Sequence, residues 1–370
     1  MRRNYFKYIF FFNFIFISVL VIFIFHSVND KASLPAASVT TPIINTSLIN
    51  TDFCKDAKAG VIIDAKSGAV LYEKNAYIRL PMASTTKIMT ALCVIEKADL
   101  NKTVTVSKNA ANTEGSSIYL KEGEEISVCD LLYGLMLESG NDAAVALAEG
   151  CFGSVEECVK YMNDKAHSIG LIDTSFENAS GLDADNHYTT AYELALITKH
   201  ALKNDFFKKL VSTKSYTAKG ENPRYFSNHN RLLNSLEGAC GVKTGYTSKS
   251  GRCLVSCAQR QNEMYIAVTL DCPSDWQNHK DMLEFAFDNY ECLEVASKDS
   301  FTIYQGFKRY SPDDSFFITS TGEGDFDLNY KLTFDKENCI CEYSTDNSTL
   351  GAFSLFECDD VSYELQIPQA

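Results

Sequence analysis

Ser84 and Lys87 stand three residues apart in Ala83-Ser84-Thr85-Thr86-Lys87, where an apolar helical run begins. At i and i+3 of a helix two side chains share one face a turn apart, so the amine could reach the hydroxyl. An unprotonated lysine there would take the serine proton and leave a strong nucleophile. The same pair suits a structural role, because serine is a favoured N-cap and a lysine in a first helical turn is ordinarily solvated. For Lys87 to act as a base near neutral pH its pKa must fall by several units, which takes desolvation and a second positive charge nearby. Met82, Ile88 and Met89 could contribute to the desolvation, and the second condition asks for another lysine elsewhere in the chain.

Three K-[ST]-G triplets offer that lysine: Lys66-Ser67-Gly68, Lys243-Thr244-Gly245 and Lys249-Ser250-Gly251. The first falls in an expected hairpin turn, and the last follows the polar Tyr246-Thr247-Ser248 in what reads as a turn leaving a strand. Lys243 follows Gly241 on a strand, where a glycine-flanked edge could run beside a bound peptide and hydrogen-bond its backbone. A serine with an asparagine two residues on occurs at Ser27, Ser107 and Ser139. Ser27 abuts an apolar N-terminal run and Ser107 lies in a polar stretch. Ser139-Gly140-Asn141 interrupts two helical patterns, and such a break either caps and restarts a helix or points a hydroxyl and an amide into a cleft.

The elements that must position these residues follow from periodicity. Ala59–Asp64 and Ala69–Tyr72 predict two strands around a Gly-containing turn. Apolar residues at helical spacing predict helices over Thr85–Lys97, Val128–Leu137, Asp142–Glu149 and Thr189–His200. Gly241–Thr247, Gly251–Arg260 and Glu263–Leu270 read as consecutive strands with Gln261-Asn262 at a turn. The sheet therefore draws its strands from both ends of a helical insert. From Phe301 onward short alternating segments, Phe301–Tyr304, Ser315–Thr319, Leu328–Phe334 and Val361–Ile367, predict a small all-β module. The expected division is an N-terminal segment 1–29, a Ser/Thr/Ala/Pro-rich linker 30–52, a mixed helix and sheet body 53–290 and an all-β part 291–370.

A formal net charge of −14 and a pI near 4.9 argue against a nucleic-acid partner, which would call for clustered lysine and arginine. Arg2, Arg3 and Lys7 precede an apolar run from Tyr8 to Phe25 relieved only by Asn13 and Ser18. That pattern reads as an export segment, so the rest of the chain is expected to be extracytoplasmic. The length of the run, and the poor match of Pro35-Ala36-Ala37 to a cleavage site, favour a retained membrane anchor over a removed signal peptide. Thirteen cysteines is an odd count, and spacings such as Cys253-x-x-x-Cys257 and Cys339-x-Cys341 do not make the paired sets of a zinc site. They are expected to be small buried hydrophobes. No metal site and no cofactor motif is expected.

The order S-x-x-K, S-x-N, K-T-G, as Ser84-Thr-Thr-Lys87, Ser139-Gly-Asn141 and Lys243-Thr-Gly245, resembles the signature shared by penicillin-binding proteins and serine β-lactamases. More specifically, the chain resembles the low-molecular-weight penicillin-binding proteins that are serine D-alanyl-D-alanine carboxypeptidases. Leu137–Ala148, Phe176–Asp183 with His187–Ala191, and Gly241–Lys249 add to the likeness, which covers about Cys54 to Tyr290. The tail is similar to that family's C-terminal domain.

The resemblance implies an α+β transpeptidase-like domain, with an antiparallel sheet and a helical cluster, followed by a β-sandwich-like domain. It implies that Ser84 attacks the carbonyl of a penultimate D-alanine, Lys87 activates it, and Ser139 relays the proton to the leaving D-alanine. Asn141 would hold Lys87 and the substrate amide. Lys243 and Thr244, with Gly245, would bind the terminal carboxylate, and backbone N–H groups of Ser84 and Tyr246 would form an oxyanion hole. The implied partners are peptidoglycan stem peptides and, as inhibitors, β-lactams.

Cys240 stands where the family commonly has an aspartate. Residues Glu364–Ala370 carry no amphipathic helix of the kind with which relatives often end, which favours the N-terminal segment as the membrane attachment. His187 is expected to orient a loop, and His229 and Arg231 either reach the cleft edge to attract the substrate carboxylate or serve as plain surface. Within the same chemistry an endopeptidase acting on cross-links uses the same residues. A β-lactamase is a weaker fit, since no Glu-x-x-x-Asn motif is placed ahead of Lys243. A catalytically silent wall-binding protein would have no need of an intact triad.

Overall fold

The computed structural model describes residues 52–219, 223–298, 300–305, 308–320, 329–335, 338–345 and 348–358. The apolar N-terminal run and the expected strand Val361–Ile367 lie outside the described residues. Among those described, no helix is long and apolar enough to cross a membrane.

The chain forms β1 (Ala59–Asp64) and β2 (Val70–Lys74), then a helical region: α1 (Lys87–Lys97), β3 (Thr103–Thr105), α2 (Lys108–Ala111), β4 (Glu125–Ser127), α3 (Val128–Leu137), α4 (Asn141–Phe152), α5 (Val155–Ser168), α6 (Ala191–Ala201) and α7 (Asp205–Ser212). The hairpin β5 (Ser215–Ala218) and β6 (Arg224–Ser227) and the short α8 (Leu232–Ser235) lead to β7 (Ala239–Thr247), β8 (Gly251–Arg260) and β9 (Glu263–Leu270), closed by α9 (Asp275–Asn289). The main sheet has the order β2-β1-β9-β8-β7 and is antiparallel throughout. Its strands come from both ends of the helical insert, as the sequence pattern predicts, and β7 is an edge.

All six residues of β1 are buried, because helices cover both faces of the sheet. Side chains alternate across a strand, so Val61, Ile63, Val255, Cys257, Ile266 and Val268 enter the large core beneath the helical cluster. Ile62, Leu254, Ala258, Tyr265 and Ala267 enter a second core under α9. Ser127, Ser154, Thr190 and Asn204 cap α3, α5, α6 and α7 through side-chain bonds to backbone N–H groups three residues on, each such cap being worth about 1 kcal/mol. By contrast α1 and α4 start without a side-chain cap.

The helix expected from Thr85 is α-helical only from Lys87, since Ala83–Thr86 form a 3₁₀ turn. The sequence pattern does not announce α5, α7 and α9. The buried face of α9 carries Asp275, Asn278 and His279 beside Met282, Leu283 and Ala286, and the buried polar groups break the apolar period.

After α9 the chain is all-β: β10 (Glu291–Ala296), β11 (Ile303–Gln305), β12 (Lys308–Ser311), β13 (Phe316–Ser320), β14 (Asn329–Asp335), β15 (Asn338–Thr345) and β16 (Ser348–Cys358). β10 pairs with β13, and β11-β12-β16-β15-β14 form a second sheet. Val295, Ile318, Tyr310, Cys341 and Leu355 draw both sheets around one small core. The two K-[ST]-G triplets set aside in the sequence lie at turns, Lys66-Ser67-Gly68 between β1 and β2 and Lys249-Ser250-Gly251 running from the turn after β7 into the first residue of β8. Ser107 is the N-cap of α2.

Candidate active site

Ser84 is half-buried in the 3₁₀ turn that runs into α1. The hydroxyls of Thr85 and Thr86 donate back to the carbonyls of Met82 and Ala83 at 2.6 and 2.8 Å, which tightens the turn. Ala83 takes a left-handed φ of 47°. Neither the turn nor α1 uses a side-chain cap, so the capping role open to Ser84 in the sequence is not the one it fills. Two glycines let the chain close around the turn. A Cβ on Gly181, whose φ is +90°, would lie 2.0 Å from the Ala83 carbonyl oxygen, and one on Gly245 would lie 3.0 Å from the Ser84 nitrogen. The loop 178–183 and β7 therefore grip Ser84 from two sides.

His187 braces the same turn. The backbone N–H of Glu177 donates to its Nδ1 at 3.0 Å, so the ring proton sits on Nε2, which lies 2.7 Å from Thr86 Oγ1. Burial pushes the His187 pKa down to about 4, keeping the ring neutral. Its contacts are those of a strut, in line with the loop-orienting role expected of it.

Lys87 is fully buried. Its Nζ lies 3.0 Å from Ser84 Oγ and 2.7 Å from Asn141 Oδ1, and it donates to the Ser180 carbonyl. The last two partners can only accept. A neutral amine has two protons and one lone pair, so with both protons so engaged the lone pair is left for the Ser84 hydroxyl. Burial holds the Lys87 pKa well below the lysine range, the charge on Lys243 lowers it further, and Asp142 opposes both.

The Ser180 carbonyl was not anticipated from sequence. Asn178 builds its turn: Oδ1 accepts from the backbone N–H of Ser180 and Gly181 at 3.1 and 2.7 Å, and Nδ2 donates to the Leu182 carbonyl. A backbone carbonyl has no residue-type signature, and Asn178 is the one trace it leaves.

Ser139 occupies the break between α3 and α4 with φ of 64°. It lines the same cavity as Ser84, and its hydroxyl has no hydrogen-bond partner among the described residues. Asn141 also donates through Nδ2 to the Glu114 carbonyl at 2.8 Å, which fixes the amide orientation and leaves one N–H proton over. The buried Asp142 carboxylate accepts from Ser117 Oγ at 2.6 Å and from the backbone N–H groups of Ile118 and Leu120, holding the 116–120 loop over the site.

On β7, Thr244, Gly245 and Tyr246 line a cavity of about 340 Å³ together with Ser84, Ser116 and Ser139. Lys243 lies behind that wall, 2% exposed, with Nζ donating to the Thr244 carbonyl at 2.9 Å. Burial pushes its pKa down to about 7. Tyr246 is 68% exposed. Of the eight candidate residues of the sequence, Ser84, Ser139, Thr244, Gly245 and Tyr246 line this cavity, Lys87 and Asn141 are joined to it through the contact of Lys87 with Ser84, and Lys243 stands behind its wall. His229, Arg231, Arg252 and Trp276 extend the lining on the far side. Among the described residues no group of three or more His, Cys, Asp or Glu side chains could hold a metal ion.

The peptidase family described as D-alanyl-D-alanine carboxypeptidase matches residues 48–274. The chain is 40% identical over 251 residues to the D-alanyl-D-alanine carboxypeptidase DacF of Bacillus subtilis, covering 65% of this chain and 64% of that protein. It is 36% identical over 256 residues to a D-alanyl-D-alanine carboxypeptidase of a Streptomyces species, covering 64% of this chain and 84% of that one. Among solved structures, penicillin binding protein 5 from Haemophilus influenzae superimposes with a TM-score of 0.72 at 27% identity, over 82% of this chain and 97% of that one. A variant of a Streptomyces DD-transpeptidase superimposes with a TM-score of 0.59 at 34% identity, over 63% of this chain and 96% of that one. The match thus spans just under two thirds of the length of the Bacillus relative.

Proposed function

The chain belongs to the D-alanyl-D-alanine carboxypeptidase family, and from that premise we propose that it is a serine DD-carboxypeptidase that removes the terminal D-alanine from peptidoglycan stem peptides. The observation that carries this reading is the set of three contacts of the buried Lys87 amine, with Ser84 Oγ, Asn141 Oδ1 and the Ser180 carbonyl, which in the neutral amine leaves the lone pair for the Ser84 hydroxyl.

In this reading Ser84 Oγ attacks the carbonyl carbon of the penultimate D-alanine while its proton passes to Lys87 Nζ. The oxyanion that forms is received by the backbone N–H groups of Ser84 and Tyr246, an interaction commonly worth ~3 kcal/mol per donor. The C–N bond to the terminal D-alanine then breaks as Ser139 hands its proton to the departing amine and takes in its place the proton held by Lys87, which returns to the neutral amine. Lys87 next takes a proton from a water, whose oxygen attacks the acyl carbon and frees the shortened peptide, and Ser84 recovers its proton. Thr244, with the charge of Lys243 behind it, holds the terminal carboxylate. A β-lactam enters by the same attack and remains as an acyl adduct. Working on peptidoglycan would place the enzyme outside the cytoplasmic membrane, in keeping with the positively flanked apolar run of Tyr8–Phe25.

Mass spectrometry after penicillin treatment should map one adduct to Ser84, and a free pentapeptide should yield D-alanine. Ser84→Ala should abolish the adduct and lower D-alanine release by a factor on the order of 10⁴ or more. Unchanged labelling and release in that variant would sink the proposal. Parallel assay of a cross-linked dimer measures how far the cleft also admits an endopeptidase substrate.

A further inference from the structure

Two of the chain's cysteines sit at the start of the strand that carries Lys243. Cys240 precedes Lys243 on β7, and Cys257 lies on β8, the neighbouring strand; both are free thiols. The pairing runs from Ala239 opposite Ala258 directly to Gly241 opposite Cys257. Cys240 is thus the extra residue of a β-bulge, without a partner in the ladder, and with Gly241 it faces Cys257.

Both side chains turn to one side of the sheet. Cys257 enters the large core beneath the helical cluster, and Cys240 packs against that same core. Burial raises the Cys257 pKa well above the thiol range, and its hydrogen-bonding contact with Cys240 raises it further. Opposed residues of an antiparallel pair have Cα atoms about 4.5–5.5 Å apart, within the range of about 4.4–6.8 Å that a disulfide spans. Among the described residues no other two cysteines meet across paired strands.

Access to the two thiols differs. Cys240 is half-buried, whereas Cys257 is 0% exposed. Helix α7 lies close against the bulge, since a Cβ on Gly241 would sit 2.7 Å from Val211 Cγ2. A dissolved oxidant therefore meets the pair at Cys240.

We infer that Cys240 and Cys257 form a disulfide on contact with a low-molecular-weight disulfide oxidant, stapling the start of β7 to β8 and leaving the catalytic end of β7 in place. Cys240 loses its proton and attacks one sulfur of the oxidant, whose S–S bond breaks. One half stays on Cys240, and the other departs as a thiolate that takes up the proton. Cys257 then gives up its proton and attacks Cys240 Sγ, expelling the second half, which leaves as a thiol. The protein loses two hydrogen atoms and the oxidant is reduced to two thiols. The extra residue of the bulge takes up the approach of the two sulfurs, so the register from Gly241 to Thr247 is kept. Such oxidants are met outside the cytoplasm, where the carboxypeptidase reading places the chain; the thiol chemistry itself does not depend on that reading.

The test is to incubate full-length protein in detergent with oxidised glutathione, alkylate the remaining thiols after unfolding, and map the digest by mass spectrometry. One cross-link should join Cys240 to Cys257, while Cys93 and Cys158, which are near each other but both fully buried, should be recovered as alkylated thiols. Cys257→Ala should halt the reaction with glutathione still on Cys240, and Cys240→Ser should leave Cys257 unreacted. Oxidation should raise the urea unfolding midpoint by on the order of 1 M, an increase that reductant removes and Cys240→Ser lacks. Penicillin acylation should stay within about threefold of the reduced rate. Recovery of Cys240 and Cys257 as alkylated thiols, a link from Cys240 to a different cysteine, or loss of acylation on forming the link overturns the inference. Failure of the reduced protein to react with penicillin would count against the carboxypeptidase reading instead, and the cross-link, read by mass, would still decide the inference.

Discussion

Lys87 and Lys243 are both buried, yet different influences act on them. Burial alone lowers Lys243, to about 7, whereas Lys87 is lowered by burial and by the charge on Lys243. In the proposed mechanism Lys87, on which both influences act, is therefore the lysine that gives up its proton more readily and would serve as the base. The sign of the consequence is fixed: removing the Lys243 charge relieves repulsion of protonated Lys87 and raises its pKa. Lys243→Gln should move the acid limb of the penicillin acylation rate to higher pH by about one unit, beyond any loss of amplitude. Measured across a pH series, a limb that shrinks without moving would mean that Lys243 acts by contact alone. Side-chain types made this much legible in the sequence, since a serine, two lysines and a break at Ser139 can be picked out by spacing. The Ser180 carbonyl, the Arg252–Asp275 ion pair at 2.8 Å and the Trp276 ring were not, because each depends on a long-range approach that no local pattern encodes.

Among the elements, the turn that carries Ser84 is held by its neighbours. Strand ends such as Ala59–Asp64 and Gly251–Arg260 were readable because alternation feeds two cores at once, and α3 was readable from its apolar residues. The 3₁₀ start of α1 was not, since it arises from hydroxyls of Thr85 and Thr86 turning back on their own backbone. Packing by Gly181 against Ala83 maintains that geometry. Gly170 offers a matched control, with φ +83° and nothing within 4 Å of a Cβ there. Alanine at Gly170 should cost about 1 kcal/mol in denaturant unfolding for the left-handed backbone, and alanine at Gly181 more, because its Cβ also meets the Ala83 carbonyl. Only Gly181→Ala should also slow penicillin acylation, by about 10²-fold, because it displaces the nucleophile. Equal acylation rates in the two variants would show that the turn tolerates movement.

At the scale of the whole molecule, the division expected near residue 290 becomes a proposal about folding units. The two cores on either side of the main sheet share no residue with the core of the β10–β16 region. Among the described residues, polar contacts cross the join. Thr319 Oγ1 meets Ser67 Oγ at 2.7 Å and donates to the buried Asp64 at 3.1 Å, Lys203 pairs with Asp314 at 3.4 Å, and Lys66 lies 5.0 Å from the Phe317 ring centroid. The solved Streptomyces chain is covered to 96% by only 63% of this one, so a similar fold stands without so long an addition. Cutting at Tyr290 leaves the bond from Tyr265 OH to the Tyr290 carbonyl in place and lets water replace Thr319 at Asp64. A chain ending at Tyr290 should therefore unfold cooperatively, lose about 1–2 kcal/mol for the hydrogen bonds given up, and be acylated by penicillin within about threefold of the full-length rate, since no residue of β10–β16 lines the cavity around Ser84. Truncated protein that folds but is acylated far more slowly would make the β-rich region part of the catalytic body, because the loop at Lys66-Ser67-Gly68 would then be transmitting its loss through β1 to the site.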